Sequence, residues 1–110
     1  MAYDEKLVQR VRACIGDAAG LTEKRMFGGL AFLINGNMAV SASGQGGLLL
    51  RVDPATTDGL VEDPGAERFV MRGREMDGWL RIDPSSTSTE PELARWVDIG
   101  ISFARSLPHN

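Results

Sequence analysis

The stretch "LAFLINGNMAVSA", Leu30 to Ala42, constrains this chain more tightly than any other. Leu30, Phe32 and Ile34 alternate with Ala31 and Leu33, the two-residue period of a strand with one buried face. Asn35-Gly36 then supplies two residues that tolerate positive φ, the strongest short signal for a tight hairpin. On the return, Met38, Val40 and Ala42 share one face, and Ala39 and Ser41 the other. "SGQGG", residues 43–47, predicts a second turn and "LLLRVD", residues 48–53, a third strand. The centre of the chain is therefore expected to be an antiparallel meander.

Two glycines, Gly28 and Gly29, stand at its entrance. "GGLAFLINGN" has no lysine of a phosphate loop, and an extended run follows the glycines where a dinucleotide fingerprint would open a helix. The pair is thus expected to permit a bulge or a close backbone crossing where Met26 and Phe27 enter the sheet.

The flanks read as helices. Leu7, Val8, Val11, Cys14, Ile15 and Ala18 recur at helical steps behind Asp4, a candidate N-cap, and Gly16 and Gly20 offer a stop. Asp53-Pro54 opens a short helix to about Val61. "ERFVMRG", 67–73, and "GWLRID", 78–83, predict two further strands joined through "REMD". Thr89 and Glu92 have capping-box spacing ahead of a stripe of Leu93, Trp96, Val97, Gly100, Phe103, Ala104 and Leu107. The order helix, three strands, helix, two strands, helix, with helices adjoining antiparallel strands rather than following each one, indicates an α+β fold with five strands. At 110 residues, the chain is expected to form a single domain spanning 1–110.

Composition excludes several chemistries. The only histidine, His109, sits in a C-terminal tail, where no catalytic imidazole would be held in place. Without a second histidine, a Ser–His–Asp or Cys–His assembly lacks its base, and a zinc site lacks ligands. Cys14, the only cysteine, lies on an apolar helical stripe and is expected to be a small buried hydrophobe. No apolar run approaches a membrane span, and the N-terminus has no apolar signal region, so a cytoplasmic protein is expected. No cofactor, metal or catalytic residue is expected.

Taken together, "KRMFGGLAFLINGNMAV", "LLLRVD", "GREMDGWLRID" and "LARWVDIGISFARSLP" resemble the TfoX/Sxy N-terminal domain family, over nearly the whole chain. The resemblance implies a two-layer, secretion-chaperone-like fold, with helices on one face of an antiparallel five-stranded sheet. It also implies kinship with bacterial competence regulators, co-activators that work beside the cyclic-AMP receptor protein. Those regulators carry a second, helical C-terminal domain, and this sequence stops where that domain would begin, so a stand-alone domain is expected. The family offers no catalytic residues to carry over.

Strand alternation then divides the sheet. Leu30, Phe32, Ile34, Met38, Val40, Leu48, Leu50, Val52, Phe69, Met71, Leu80 and Ile82 are expected to face the helices. Ala31, Leu33, Ala39, Ser41, Leu49, Arg51, Arg68, Val70, Arg72, Trp79 and Arg81 fall on the open face. Of these, Leu33, Leu49, Arg51, Arg68, Arg72, Trp79 and Arg81 form the candidate partner-binding surface, because Trp and Arg are enriched at interface hot spots. The competing reading is a solvated face with arginine stems lying over apolar neighbours. The partner expected is a protein, including a second copy of the chain. The alternative is nucleic acid, with stacking on Trp79 and arginines on phosphates, although a net charge of −3 does not favour it.

Overall fold

The computed structural model describes residues 4–26, 28–44 and 46–109. Its elements run α1 (Glu5–Ile15), β1 (Leu21–Met26), β2 (Gly29–Ile34), β3 (Asn37–Ala42), β4 (Leu48–Arg51), α2 (Thr57–Leu60), β5 (Ala66–Met71), β6 (Arg74–Ile82) and α3 (Glu90–Ser106). Short 3-10 turns, Pro54–Thr56 and Pro84–Thr87, lead toward α2 and α3. The sheet is antiparallel with strand order β1-β2-β3-β4-β6-β5. The architecture is α+β, as the sequence predicts, but with six strands rather than five.

The helix ends follow local chemistry. Asp4 accepts from the Lys6 and Leu7 amides, and Gly16, at φ +62°, closes α1. Thr89 caps α3 by accepting from the Glu92 amide, and its hydroxyl donates to Glu92 Oε1 at 2.8 Å. Leu7, Val8 and Val11 of α1 and Leu93, Trp96, Val97 and Ala104 of α3 are buried against Phe32, Ile34, Val40, Leu50, Leu80 and Ile82 of the sheet. α3 crosses closest at Gly100, where an added Cβ would lie 2.6 Å from the Ala39 carbonyl oxygen and 2.7 Å from Leu50 Cδ1.

The sixth strand is β1. "LTEKRM" shows no apolar alternation because it is a sheet edge, exposed from Thr22 to Arg25. Its charges suit an edge that must not recruit further strands. Met26 pairs with Gly29, so Gly28, at φ +72°, lies in the tight connection between β1 and β2. Gly29 makes the close crossing: a Cβ there would stand 2.1 Å from the Ala42 carbonyl oxygen. Phe27 and Gln45, parts of the sequence reading, lie outside the described residues.

Two register irregularities overturn part of the expected parity. Phe32 pairs with Val40 but Leu33 with Met38, so Ala39 is a bulged residue. Past it, Ala39 joins the helix-facing core, and Met38 joins a second cluster with Ala31 and Leu49 on the other face. In the last hairpin, Arg68 pairs with Leu80 but Phe69 with Met76, which leaves Asp77, Gly78 and Trp79 unmatched on β6. Phe69 therefore belongs to the open face, Met71 follows two residues on, and Val70 takes the opposite parity. Arg68 shares the helical side with Leu80. The turn of this hairpin is Arg72-Gly73 rather than "REMD", with both residues at positive φ, as a two-residue hairpin loop requires.

Candidate functional site

The face away from the helices is built around a small apolar cluster. Ala31, Met38 and Leu49 are buried there, with Met26, Leu33, Phe69 and Trp79 packed against them. Trp79 is positioned by its neighbour. Gly78 sits at φ +86°, its N–H donates to the buried Thr57 Oγ1 at 2.9 Å, and its carbonyl accepts from Val52 N–H at 2.9 Å. That double anchorage fixes the bulge and turns the strand beyond it, so Met76 and Trp79 reach the same side. Leu49, Phe69, Met71, Met76 and Trp79 line an apolar cavity of about 60 Å³. Beside it, Met71, Arg72, Arg74, Glu75 and Met76 line a larger, shallow hollow of about 530 Å³ at the hairpin tip.

The expected surface is only partly assembled. Leu33, Leu49 and Trp79 share the open face. Arg81, paired with Leu49, joins them, and its guanidinium donates to Ser43 Oγ and the Gly46 carbonyl, each at 3.4 Å. Arg51 pairs with Trp79 at the end of β4, and its guanidinium lies 5.4 Å from the Trp79 ring centre and 5.8 Å from that of Phe103 in α3. It thus contacts both layers. Arg68 is not brought to this surface: it pairs with Asp77 at 2.9 Å and with Asp58 of α2. Both carboxylates favour its charged form, and the hydrogen bond that Arg68 donates to Asp77 is the larger influence raising its pKa. Arg72 lies in the hairpin turn rather than on the strands.

Phe69, Met71, Arg74 and Met76 are the residues that alternation alone misses. The available signal was Gly78, since an isolated glycine inside a strand pattern marks a bulge. Once they are placed, the charge of the face is one-sided. Lys24 pairs with Ala31, Arg51 with Trp79, Arg74 with Met71 and Arg81 with Leu49. Among the strand acids, Glu23 sits opposite Phe32 on the helical side, Glu75 opposite Val70, and Asp77 holds Arg68. Only Glu67, opposite Arg81, shares the open face. An acidic chain thus gathers bases on one sheet face.

Elsewhere the chemistry is structural. Burial is the main cause raising the Cys14 thiol pKa, so the thiolate is disfavoured where Cys14 packs, half-buried, against the core. Arg12 hydrogen-bonds Glu23 through two nitrogens at 2.7 and 2.8 Å and holds its carboxyl below the usual range. Among the described residues no group of three or more His, Cys, Asp or Glu side chains could hold a metal ion. Among them, too, no helix is long and apolar enough to cross a membrane.

Helices packed on one side of an antiparallel sheet, with an apolar and basic opposite side, define a small α+β domain with one sheet face that, among the described residues, no helix covers. The sequence matches the family model of the TfoX N-terminal domain over residues 13–104, and the chain belongs to that family, one of competence-regulator-like domains. Comparison with curated proteins and with solved structures gave no match.

Proposed function

We propose that the chain is a non-enzymatic regulatory or adaptor domain that works by contact with a protein partner through the sheet face opposite the helices. The observation that carries this reading is the coincidence on one face of an apolar cluster, Trp79 and an excess of bases within a chain of net charge −3. Aromatic and arginine side chains at the centre of an apolar patch are the usual anchors of protein interfaces. Membership of the TfoX N-terminal domain family supports the regulatory half of the reading. A secretion-chaperone-like arrangement and a cytoplasmic setting belong to the same proposal, since a sheet flanked by helices on one side leaves the other for a partner.

The test is site-specific photo-crosslinking in cells, with the reactive residue at Leu33 on the open face or at Asp98, exposed on α3. Protein adducts from position 33 that are absent from position 98 are expected. No adduct from 33, or identical adducts from both, would refute the reading. The excess of bases beside Trp79 also favours a second reading, a nucleic-acid-binding module, which requires steeply salt-dependent binding to single strands. No binding at low salt would end it.

A further inference from the structure

Resting on that protein-contact reading, we propose that the β5–β6 end of the open face takes an acidic protein segment. One apolar side chain of the segment enters the space among Leu49, Phe69, Met76 and Trp79, while its carboxylates lie against Arg72 and Arg74. The registers carry this placement. Phe69 opposite Met76 and Met71 opposite Arg74 put an apolar strip and a guanidinium on one side of the hairpin; Glu75, opposite Val70, has the other parity and borders only the hollow at the tip, not the apolar cavity. The cavity of about 60 Å³ is lined by apolar side chains alone. Such a space is poorly hydrated and is satisfied by an apolar group. Met71 and Met76 have flexible, polarizable thioethers that can reshape around different anchors.

Arg72 and Arg74 distinguish this end from the rest of the face. Arg51 is engaged with two rings, Arg68 with two carboxylates and Arg81 with the β3–β4 loop. The Arg72 and Arg74 side chains make no hydrogen bond or ion pair among the described residues, so both guanidinium groups are available to carboxylates. Met71, 39% exposed, lies between them and the cavity. A second copy of the chain fits poorly, because a two-fold contact sets a patch against itself and would bring basic tips together. Nucleic acid fits poorly too: a cavity with no polar lining offers nothing to base edges, and phosphates call for a broader surplus of bases.

The test uses the whole chain and a dye-labelled peptide of Asp and Glu around a central Leu-Phe pair, followed by fluorescence anisotropy at low salt. Its controls carry Ser-Ser in place of Leu-Phe, or Lys and Arg in place of the acids, and a single-stranded oligonucleotide is run beside them. Saturable binding of the acidic Leu-Phe peptide is expected. It should weaken about tenfold or more with Ser-Ser, with the basic peptide, and in the Arg72→Asn/Arg74→Gln variant, whose changes lie at a solvent-exposed turn. Amide and indole NMR shifts should move at Leu49, Phe69 and Trp79. The proposal is overturned by no binding, by equal binding of acidic and basic peptides, by tighter binding of the oligonucleotide, or by an unchanged affinity in the variant. A silent peptide with adducts still forming from position 33 overturns this site alone; loss of both overturns the protein-contact reading with it.

Discussion

Gly100 is the point at which the helical layer and the bulged strand can be tested against each other. Replacing it with alanine adds one methyl group, placed 2.6 Å from the Ala39 carbonyl oxygen and 2.7 Å from Leu50 Cδ1. In an open helix the same change would stabilise by about 1 kcal/mol through backbone propensity. Here the Leu50 methyl can rotate aside, but the carbonyl belongs to the bulge and cannot. Overpacking a tight core costs about 1–3 kcal/mol, and a backbone obstacle puts this site toward the upper end. The net expectation is a loss of about 1–2 kcal/mol, equivalent to a fall in Tm of roughly 4–12 °C for a domain of this size. Urea and thermal unfolding of Gly100→Ala measure it. Gly59→Ala is the control, because its Cβ would meet nothing within 4 Å, and it should be neutral or slightly stabilising. A Gly100→Ala protein as stable as the parent would refute the close crossing and with it the position of the bulge.

Other consequences are independent of that contact. Thr57→Val should cost about 1–3 kcal/mol in urea unfolding, because the Gly78 N–H would lose its buried acceptor; a change within about 0.5 kcal/mol would contradict the anchored bulge. Glu23 is held below the ordinary carboxylate range by Arg12, so its contribution to stability is present above its unfolded pKa and is lost as pH falls through the lower folded value. Arg12→Gln should therefore flatten the acid limb of a urea-midpoint profile and raise the Glu23 carboxyl, followed by NMR, back toward the ordinary carboxylate range. An unchanged Glu23 titration would refute the pairing. Cys14, half-buried with its thiol pKa raised, should react with a thiol reagent several-fold more slowly than free cysteine at neutral pH; reaction at the free rate would contradict its packing.

Much of the architecture is legible in the residues because local and tertiary preferences agree there. Asn35-Gly36 makes the turn it promises, with φ of +53° and +82°. The α1 stripe buries Leu7, Val8 and Val11 and the α3 stripe Leu93, Trp96, Val97, Gly100 and Ala104, while Cys14, Ile15, Phe103 and Leu107 of the expected stripes are half-buried and Ala18 falls beyond α1. β1 was illegible for a physical reason: an edge strand bearing Thr22, Glu23, Lys24 and Arg25 has no buried face to impose a period of two. The misplaced side chains share one cause. A one-residue register change reverses every later projection, so Ala39 sends Met38 across the sheet. In β5 a run of apolar residues drew Phe69 and Met71 to the helical side on paper, whereas the pairing of Ala66 with Ile82 gives that side to Ala66 and Arg68. Leu33, Leu49 and Trp79 were found by alternation because the bulged residue beside Leu33, Ala39, belongs to β3 and leaves the alternation of β2 intact, while Leu49 and Trp79 lie in the regular β4–β6 register. Arg74 and Met76 were hidden because "REMD" looks like a loop until Gly78 is read as a bulge.

The reversed projection at the β5–β6 hairpin decides where the binding face lies, and isotope-edited NOE spectroscopy on the Phe69 ring measures it directly. The structure predicts cross-peaks from that ring to the Leu49 methyls and the Met76 side chain. Cross-peaks instead to Leu80 and the residues of α2 would return Phe69 to the helical side and dissolve the apolar and basic surface on which the proposed contact depends.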